Sequence, residues 1–377
     1  MLIRMRPVSK ARRKRPTRAE LDQKGRDALD ALDEYLEGNV SEPMQWLTRF
    51  WEDQAAALSY TALIMLARNE PNVQGIFDAW YMDYSRLINE RMTDLWEKSM
   101  KAAVKTSPFL PLDKFVFNAN EESVIDWIRN RTGDLITVVT QEQINAVRFI
   151  VLEGKARHMN SDEIARYIRP IVGLTRPQAA ANLKLYMSVK DQLTRDHPRM
   201  KPEAVERKAR EAAARYAAKQ QRYRAETIAR TEMAFSYCYG EDAATKQAMA
   251  AGLLPRMRRK WITAKENVCT ACEDLEGEEI GMGDDEFYWT LIGKRPVTVV
   301  LPPLHPRCQC VVEYIEELGE DGKPIWDVPP ADERTTHEVP DRILPEYDDM
   351  RMQEYTGDHY HPRITPEVRR TMAEEPH

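Results

Sequence analysis

The chain has 377 residues, of which 42% are hydrophobic, and its formal net charge at pH 7 is −6. This length supports two or three domains with hydrophobic cores and excludes a small protein stapled by disulfides. The longest apolar runs, at residues 63–67 and 297–304, are much shorter than the roughly 20 residues that cross a bilayer. No apolar leader segment follows the basic start, so we predict a protein of a reducing cytoplasm without a membrane contact.

Residues 1–17 are predicted to form a flexible basic arm, because they lack apolar periodicity and contain two prolines. Such an arm could neutralise phosphates of DNA in a salt-dependent way that does not depend on base sequence. A solvated tail without a partner explains the same composition equally well. The basic residues concerned are Arg4, Arg6, Lys10, Arg12, Arg13, Lys14, Arg15 and Arg18.

Residues 18–107 are predicted to form an N-terminal helical region, because apolar residues recur at steps of three and four. Helical blocks are expected at about 18–37, 43–69 and 71–104. The region also supplies more tryptophans than a small bundle usually buries, so they are interpreted either as core residues or as contacts with a partner. These tryptophans are Trp46, Trp51, Trp80 and Trp96.

Residues 112–252 follow a proline-marked linker and are predicted to form a helical core. Shorter helices are expected at 121–129, 140–154 and 161–168, the last one capped by Ser161. A further helix should begin after Thr175, with a proline in its first turn, and run to about residue 195.

Residues 202–251 have hardly any helix breaker, and their apolar pattern predicts one helix of about 70 Å. A break near residues 221–225, which would give an antiparallel pair, is the alternative. Cys238 lies on this helix and is predicted to be a buried core thiol.

The hydrophobic period changes from helical to alternating after Gly252, which predicts a small α+β module over residues 253–318. Strands are expected at 257–263, 297–301 and 310–314. Residues 319–377 then contain eight prolines and 15 acidic against 7 basic residues, which predicts an acidic extended tail. The predicted fold class is therefore mainly α with a small metal-clipped α+β module.

Four of the five cysteines and one histidine have metal-ligand spacing, as Cys269-Thr-Ala-Cys272 and His305-Pro-Arg-Cys308-Gln-Cys310. Each i, i+3 pair can present two donors to one ion from a tight turn. Thiolate and imidazole favour Zn²⁺, and four such ligands leave no open position for water, so the site is predicted to be structural. Either Cys308 or Cys310 could be the fourth ligand, or these side chains could be half-buried thiols and a surface histidine without a metal.

Four segments together resemble the Mu F-like minor head proteins, also called head morphogenesis proteins, of tailed bacteriophages. They are residues 224–232 (Arg-Ala-Glu-Thr-Ile-Ala-Arg-Thr-Glu), 260–263 (Lys-Trp-Ile-Thr), 269–277 and 302–310, and the likeness covers about 140–314. Gln309 departs from the family, which usually has an arginine there. The resemblance implies a non-enzymatic virion protein of the capsid interior or portal vertex. Its implied partners during prohead assembly, in the host cytoplasm, are the portal protein and the major capsid or scaffold protein.

Two other functions are compatible with the sequence. One is a zinc-containing nuclease or transferase that uses Arg230, Thr231 and Glu232. A helix separates Arg230 and Glu232 by about 200°, which makes convergence on one substrate difficult and favours salt bridges or packing. The other is a zinc-containing nucleic-acid-binding protein that acts through the basic arm.

Overall fold

The computed structural model describes residues 23–70, 73–264, 268–283, 286–289 and 297–330. The predicted basic arm lies outside these residues, as does the tail beyond residue 330. The described residues all belong to one compact unit. They are mainly helical and include a small antiparallel sheet, which confirms the mainly α prediction with a small α+β part.

Helices account for most of the described chain. They are α1 (Gln23–Asn39), α2 (Ser41–Ala57), α3 (Tyr60–Arg68), α4 (Val73–Leu87), α5 (Thr93–Thr106), α6 (Glu122–Ala156), α7 (Ser161–Ile171), α8 (Arg176–Asp196), α9 (Pro202–Ala250) and α10 (Thr270–Leu275). A π-helical turn at Ile88–Met92 joins α4 to α5, so the predicted third block is helical over its described residues, 73–104. The strands are β1 (Met257–Ile262), β2 (Glu279–Gly281), β3 (Phe287–Trp289), β4 (Val297–Val299) and β5 (Val311–Glu316).

Helix α9 is unbroken over 49 residues, so the alternative with a break near 221–225 is wrong. The region of the expected break is instead tied to the chain before α8: Gln221 donates to the Val172 carbonyl and Arg224 to the Gly173 carbonyl. Gly240 also stays helical, because a Cβ there would lie 2.5 Å from the Cα of Met100 on α5. The glycine thus permits close packing of two helices, and Cys238 is buried as predicted.

Three helix predictions need correction. Residues 121–129 and 140–154 belong to the single helix α6, because the intervening Gly133 is only a weak breaker and Ile136 and Val139 are buried. Asn160, not Ser161, caps α7, by a capping box with Glu163. The predicted block at 43–69 contains two helices, because the chain turns before α3.

The tryptophans of the N-terminal region mostly pack inside the protein. Trp51 and Trp96 have no exposed surface, and Trp80 is 3% exposed. Trp46 is partly buried against the same apolar cluster as Trp51. The interpretation of these residues as a reserve for a partner interface is therefore wrong for the three that are buried.

Helix α6 is long and apolar enough to cross a membrane by length and composition alone, contrary to the expectation from short apolar runs. However, 56% of its most hydrophobic 18-residue stretch is buried within the fold, and α6 packs against α4 and α8. Core helices pass the same test, so α6 is weak evidence for a membrane span.

The strands lie where the period was expected to change. Strand β1 is central in a three-stranded antiparallel sheet of order β2-β1-β5, and β3 pairs with β4. The predicted strands are confirmed with shifted ends, whereas β2, β3 and α10 were missed. The predicted domain boundaries near 107–112 and 252–253 fall in loops. Elements on opposite sides of each boundary nevertheless pack together: α5 packs on α9, and β5 packs on α1.

The start of the predicted tail is not extended away from the fold. The amide of Arg256 donates to the Ile325 carbonyl at 2.6 Å, and Ile325 donates in turn to Glu317. Arg256 also forms an ion pair with Asp327. Residues up to about 327 therefore fold back on the loop before β1.

Candidate metal centre

The first pair of candidate ligands is placed by the start of α10. Cys269 is the N-cap residue, and its sulfur accepts a hydrogen bond from the Cys272 amide at 3.4 Å. Cys272 therefore lies in the first helical turn, where it is 1% exposed. The CxxC spacing thus places both sulfurs on the same end of a short helix.

The second group of donors lies in the turn that enters β5. The amide of Cys308 donates to the His305 carbonyl at 3.1 Å, which closes the turn. Arg307 takes a left-handed conformation with φ of 62°, and Cys308 and Cys310 point into the protein with 3% and 2% exposure. This turn carries the imidazole to the rim and both thiols to the interior.

The donors of the two groups meet at one place. His305 Nε2 lies 3.1 Å from Cys269 Sγ and 3.3 Å from Cys272 Sγ. Cys272 Sγ lies 3.7 Å from Cys308 Sγ, and the sulfurs of Cys272, Cys308 and Cys310 are all within 4.8 Å of one another. All five predicted residues are therefore brought together, as two triads that share Cys272.

The histidine is oriented by its backbone. Nδ1 lies 2.9 Å from the Pro306 carbonyl, and a carbonyl oxygen can only accept, so the proton is on Nδ1. In the neutral imidazole the lone pair of Nε2 then faces the sulfurs. Metal-bound histidines commonly have such a partner for the second nitrogen, because it fixes the ring and its tautomer.

The electrostatics of the cluster favour the thiolate at two of its four cysteines, Cys308 and Cys269. A hydrogen bond from Cys272 lowers the pKa of Cys308 well below its usual range, and the same contact raises the pKa of Cys272. Burial opposes ionisation of Cys269, but the Cys272 amide and thiol outweigh it and lower the pKa of Cys269. The contact with Cys308 raises the pKa of His305 to about 9.

The donor set fits a bound transition-metal ion. Zn–S bonds of 2.3 Å in a tetrahedron place two sulfurs about 3.8 Å apart, and a sulfur and an imidazole nitrogen about 3.6 Å apart. The Cys272–Cys308 separation of 3.7 Å matches the first value, and the two His305–Cys separations are a few tenths of an ångström shorter than the second. Soft thiolates and one imidazole can thus hold a metal ion here.

Helix α9 anchors the turn that carries His305. The amide of Arg307 donates to Thr231 Oγ1 at 3.0 Å, and its guanidinium donates to Glu226 at 3.1 Å. Glu226 accepts from Arg230 as well, at 3.2 Å. Sequence reasoning missed this anchor, although Arg307 lies inside the HPRC pattern and Thr231 inside the resemblance motif.

The polar residues of the α9 motif also have partners elsewhere in the fold. Glu232 is buried and forms a two-contact ion pair with Arg131 on α6. Arg230 pairs with Glu37 on α1 at 2.6 Å. Arg224 is 4% exposed and pairs with Glu142. These contacts agree with the predicted salt-bridging and packing role of Arg230, Thr231 and Glu232.

A buried ion pair that sequence reasoning did not find joins the sheet to α9. Arg259 on β1 has no exposed surface, and its Nε and Nη2 donate to the carboxylate of Asp242 at 2.7 and 2.9 Å. Tyr314 on β5 contacts the same carboxylate, from 3.2 Å. The alternation of buried and partly buried residues along β1 is consistent with a buried position 259. No sequence pattern identifies Asp242 as the partner of Arg259.

Comparison of the chain with protein-family models, with curated proteins and with solved structures gives no match.

Proposed function

We propose that this chain is a structural minor head protein of a tailed phage that associates with the portal or the inner capsid wall during prohead assembly. The observation that carries the proposal is the contact between two of the resemblance segments. Thr231 and Glu226 of the α9 motif hold Arg307 of the metal-ligand turn. Such interlocking is expected of one inherited module and not of unrelated short patterns.

We propose further that the metal is zinc and that its ligands are Cys269, Cys272, His305 and Cys308. Cys308 is favoured over Cys310 because its sulfur lies 3.7 Å from Cys272 Sγ, which is the separation expected of two zinc-bound thiolates. Cys310 lies within 4.8 Å of Cys272 and Cys308. A bound ion would crosslink α10 to the turn before β5, and no water position would remain for catalysis.

The partner is proposed to be the portal protein, or else the major capsid or scaffold protein. The buried tryptophans no longer supply the interface, so exposed apolar residues of the helical body are the place to look. Met82 on α4 and Leu152 on α6 are 58% and 67% exposed. Single exposed residues of this kind are common, so the surface has to be located by experiment.

Co-expression tests the proposed partner. A tagged full chain should co-purify the portal protein encoded by the same phage, and a chain ending at residue 330 serves as a matched control for the acidic tail. Deleting residues 20–110 is unsuitable, because α5 and α2 pack on α9 and their loss would unfold the body. Failure to co-purify portal, capsid or scaffold protein, together with absence from purified particles by mass spectrometry, would contradict the proposal.

The alternative is a zinc-containing nuclease or nucleic-acid-binding protein. It is less favoured because the polar side chains suited to catalysis on α9 are engaged, Glu232 by Arg131 and Arg230 by Glu37. Nuclease and nucleotide-hydrolysis assays with and without chelator decide between the two. Turnover that depends on metal and is lost in Glu232→Gln, but not in a Glu211→Gln control, would establish the enzyme.

A further inference from the structure

A basic cleft of about 530 Å³ lies between α3, α7 and α9, away from the cysteine cluster. Each helix contributes to its lining a pair of residues at i, i+3 spacing, which are neighbours on one helix face. The six residues that matter here are Tyr60 and Leu63 on α3, Arg166 and Arg169 on α7, and Arg207 and Arg210 on α9. This volume is within the range of roughly 300–1,000 Å³ that is typical of small-molecule sites.

The charge of the cleft is opposite to that of the chain. Four arginines and one glutamate line it, a net charge of 4 − 1 = +3, whereas the whole chain has a net charge of −6. Arginine is suited to phosphate because its planar fork donates two parallel hydrogen bonds.

Three of the four guanidinium groups have few close partners in the protein, whereas Arg169 donates to the Leu58 carbonyl. Arg166 makes no hydrogen bond or ion pair with a residue of the described ranges. Arg207 is 3.9 Å from Glu211, and both are largely exposed. Arg210 Nε is buried and forms an ion pair with Glu206 at 3.6 Å, which is too long for a hydrogen bond, because Glu206 also binds Tyr186 and Lys190.

The floor of the cleft is apolar, and an aromatic ring lies at its mouth. Leu63, Ala165, Pro170 and Ala214 contribute apolar surface. Tyr60 is 59% exposed, and its hydroxyl donates to Asp162, which holds the ring at the mouth. An exposed aromatic ring beside arginines is the usual arrangement for stacking a nucleobase whose phosphate is neutralised nearby.

We propose that this cleft binds a nucleoside phosphate. The phosphate oxygens accept hydrogen bonds from Arg166, Arg207 and Arg210, and the base stacks on Tyr60. A single peptide carboxylate would neutralise only one of the guanidinium groups, whereas a nucleoside di- or triphosphate matches the charge of the cleft. The same chemistry is offered by a free nucleotide and by a single strand of nucleic acid. The proposal does not depend on the proposed role in the phage head.

Calorimetric titration of the full metal-loaded chain with dATP and with inorganic pyrophosphate tests the site. The variant Arg166→Gln/Arg207→Gln should weaken both ligands by roughly tenfold or more, because each lost charge-assisted pair costs about that factor. Both arginines are exposed, so the fold should be unaffected. The matched control Arg215→Gln/Arg222→Gln makes the same charge change on exposed α9 positions outside the cleft and should stay within about twofold.

A second variant separates the base from the phosphate. Tyr60→Leu should weaken dATP by roughly fivefold to tenfold and leave pyrophosphate binding unchanged, because only the base uses the ring. A single-stranded oligonucleotide titrated into the same variants identifies the source. Equal losses for oligonucleotide and dATP indicate a strand, and losses for dATP alone indicate a free nucleotide.

Several results would overturn the proposal. They are the absence of dATP binding up to about 1 mM, equal losses in the cleft and control variants, and dATP binding that is unaffected by Tyr60→Leu. Tighter binding of a glutamate-rich peptide than of dATP, lost in the Arg166→Gln/Arg207→Gln variant, would show a protein-docking site instead.

Discussion

The helical body and the cysteine-bearing module are stabilised in different ways. The largest cluster of the body has 24 buried hydrophobic residues, drawn mainly from α3, α4 and α6 to α9, so ordinary burial accounts for its stability. The cluster around the candidate metal centre has six buried residues, and three of them are cysteines. The rest of the sheet packs on α1 and α9 and shares their core.

The difference predicts that the region around α10 depends on two external supports. One is the proposed metal ion, because structural zinc contributes on the order of 10 kcal/mol to the folding of small domains. The other is the contact with α9 through Asp242, Thr231 and Glu226. Variants that remove each support in turn can test the comparison.

The largest effect is expected for Cys272→Ser, because Cys272 belongs to both donor triads. Metal content should fall from about one ion per chain to less than about a tenth, since a hydroxyl is a poor ligand for this ion. The region around α10 should unfold while the helical circular dichroism of the body remains. Elemental analysis and proteolysis between residues 264 and 297 measure the two effects.

The matched control is Cys238→Ala, which removes a buried thiol outside both triads. It should keep the metal. Cys308→Ser and Cys310→Ser then separate the two candidates for the fourth ligand: the first should lose metal and the second should retain it. Full metal content in Cys272→Ser would refute the site as assigned.

Local signals explain which features the sequence predicts well. The start of α9 at Pro202 and the Cys and His spacings are short-range patterns, so helix α9 and all five clustered donors were predictable. The features that were missed depend on distant partners. β2 has three residues and exists because it pairs with β1, and the Arg259–Asp242 pair joins two elements that no periodicity relates.

The second largest effect is expected for Arg259→Leu. It leaves the Asp242 carboxylate buried with Lys246 and Tyr314 as its remaining partners. Removing one member of a buried ion pair usually costs about 3–5 kcal/mol. Chemical denaturation should show this loss. Arg258→Leu, which removes a partly exposed ion pair with Glu279, should change the free energy of unfolding by less than about 1 kcal/mol. Equal losses of unfolding free energy in the two variants would mean that the buried Arg259–Asp242 pair does not stabilise the packing of the sheet on α9.

A pH effect is expected from Glu241 on α9, because burial raises the pKa of its carboxyl to about 8. In the unfolded chain the group titrates near 4.3. Between these values the folded state binds the extra proton, so the contribution of Glu241 to stability is fully present below about pH 4 and is lost as the pH rises through about 8. Glu241→Gln should remove this slope and stabilise the protein at pH 8 by about 2–4 kcal/mol.

Denaturation curves at pH 5, 6.5 and 8 measure the effect of Glu241→Gln. Glu211→Gln, an exposed position on the same helix, is the control and should leave the slope unchanged. Identical slopes for wild type and Glu241→Gln would show that the buried carboxyl does not set the pH dependence of the body.

The smallest effect is expected for Thr231→Val, which removes the acceptor of the Arg307 amide without changing the side-chain volume much. Loss of one hydrogen bond to a partly buried amide costs about 1 kcal/mol, so metal affinity should fall about fivefold. A competition titration with a chromophoric chelator measures this. Thr227→Val, one helical turn earlier, loses only a bond to the Tyr223 carbonyl and should keep full affinity. If both variants bind metal as tightly as the wild type, the hydrogen bond from the Arg307 amide to Thr231 does not hold the ligand turn in place.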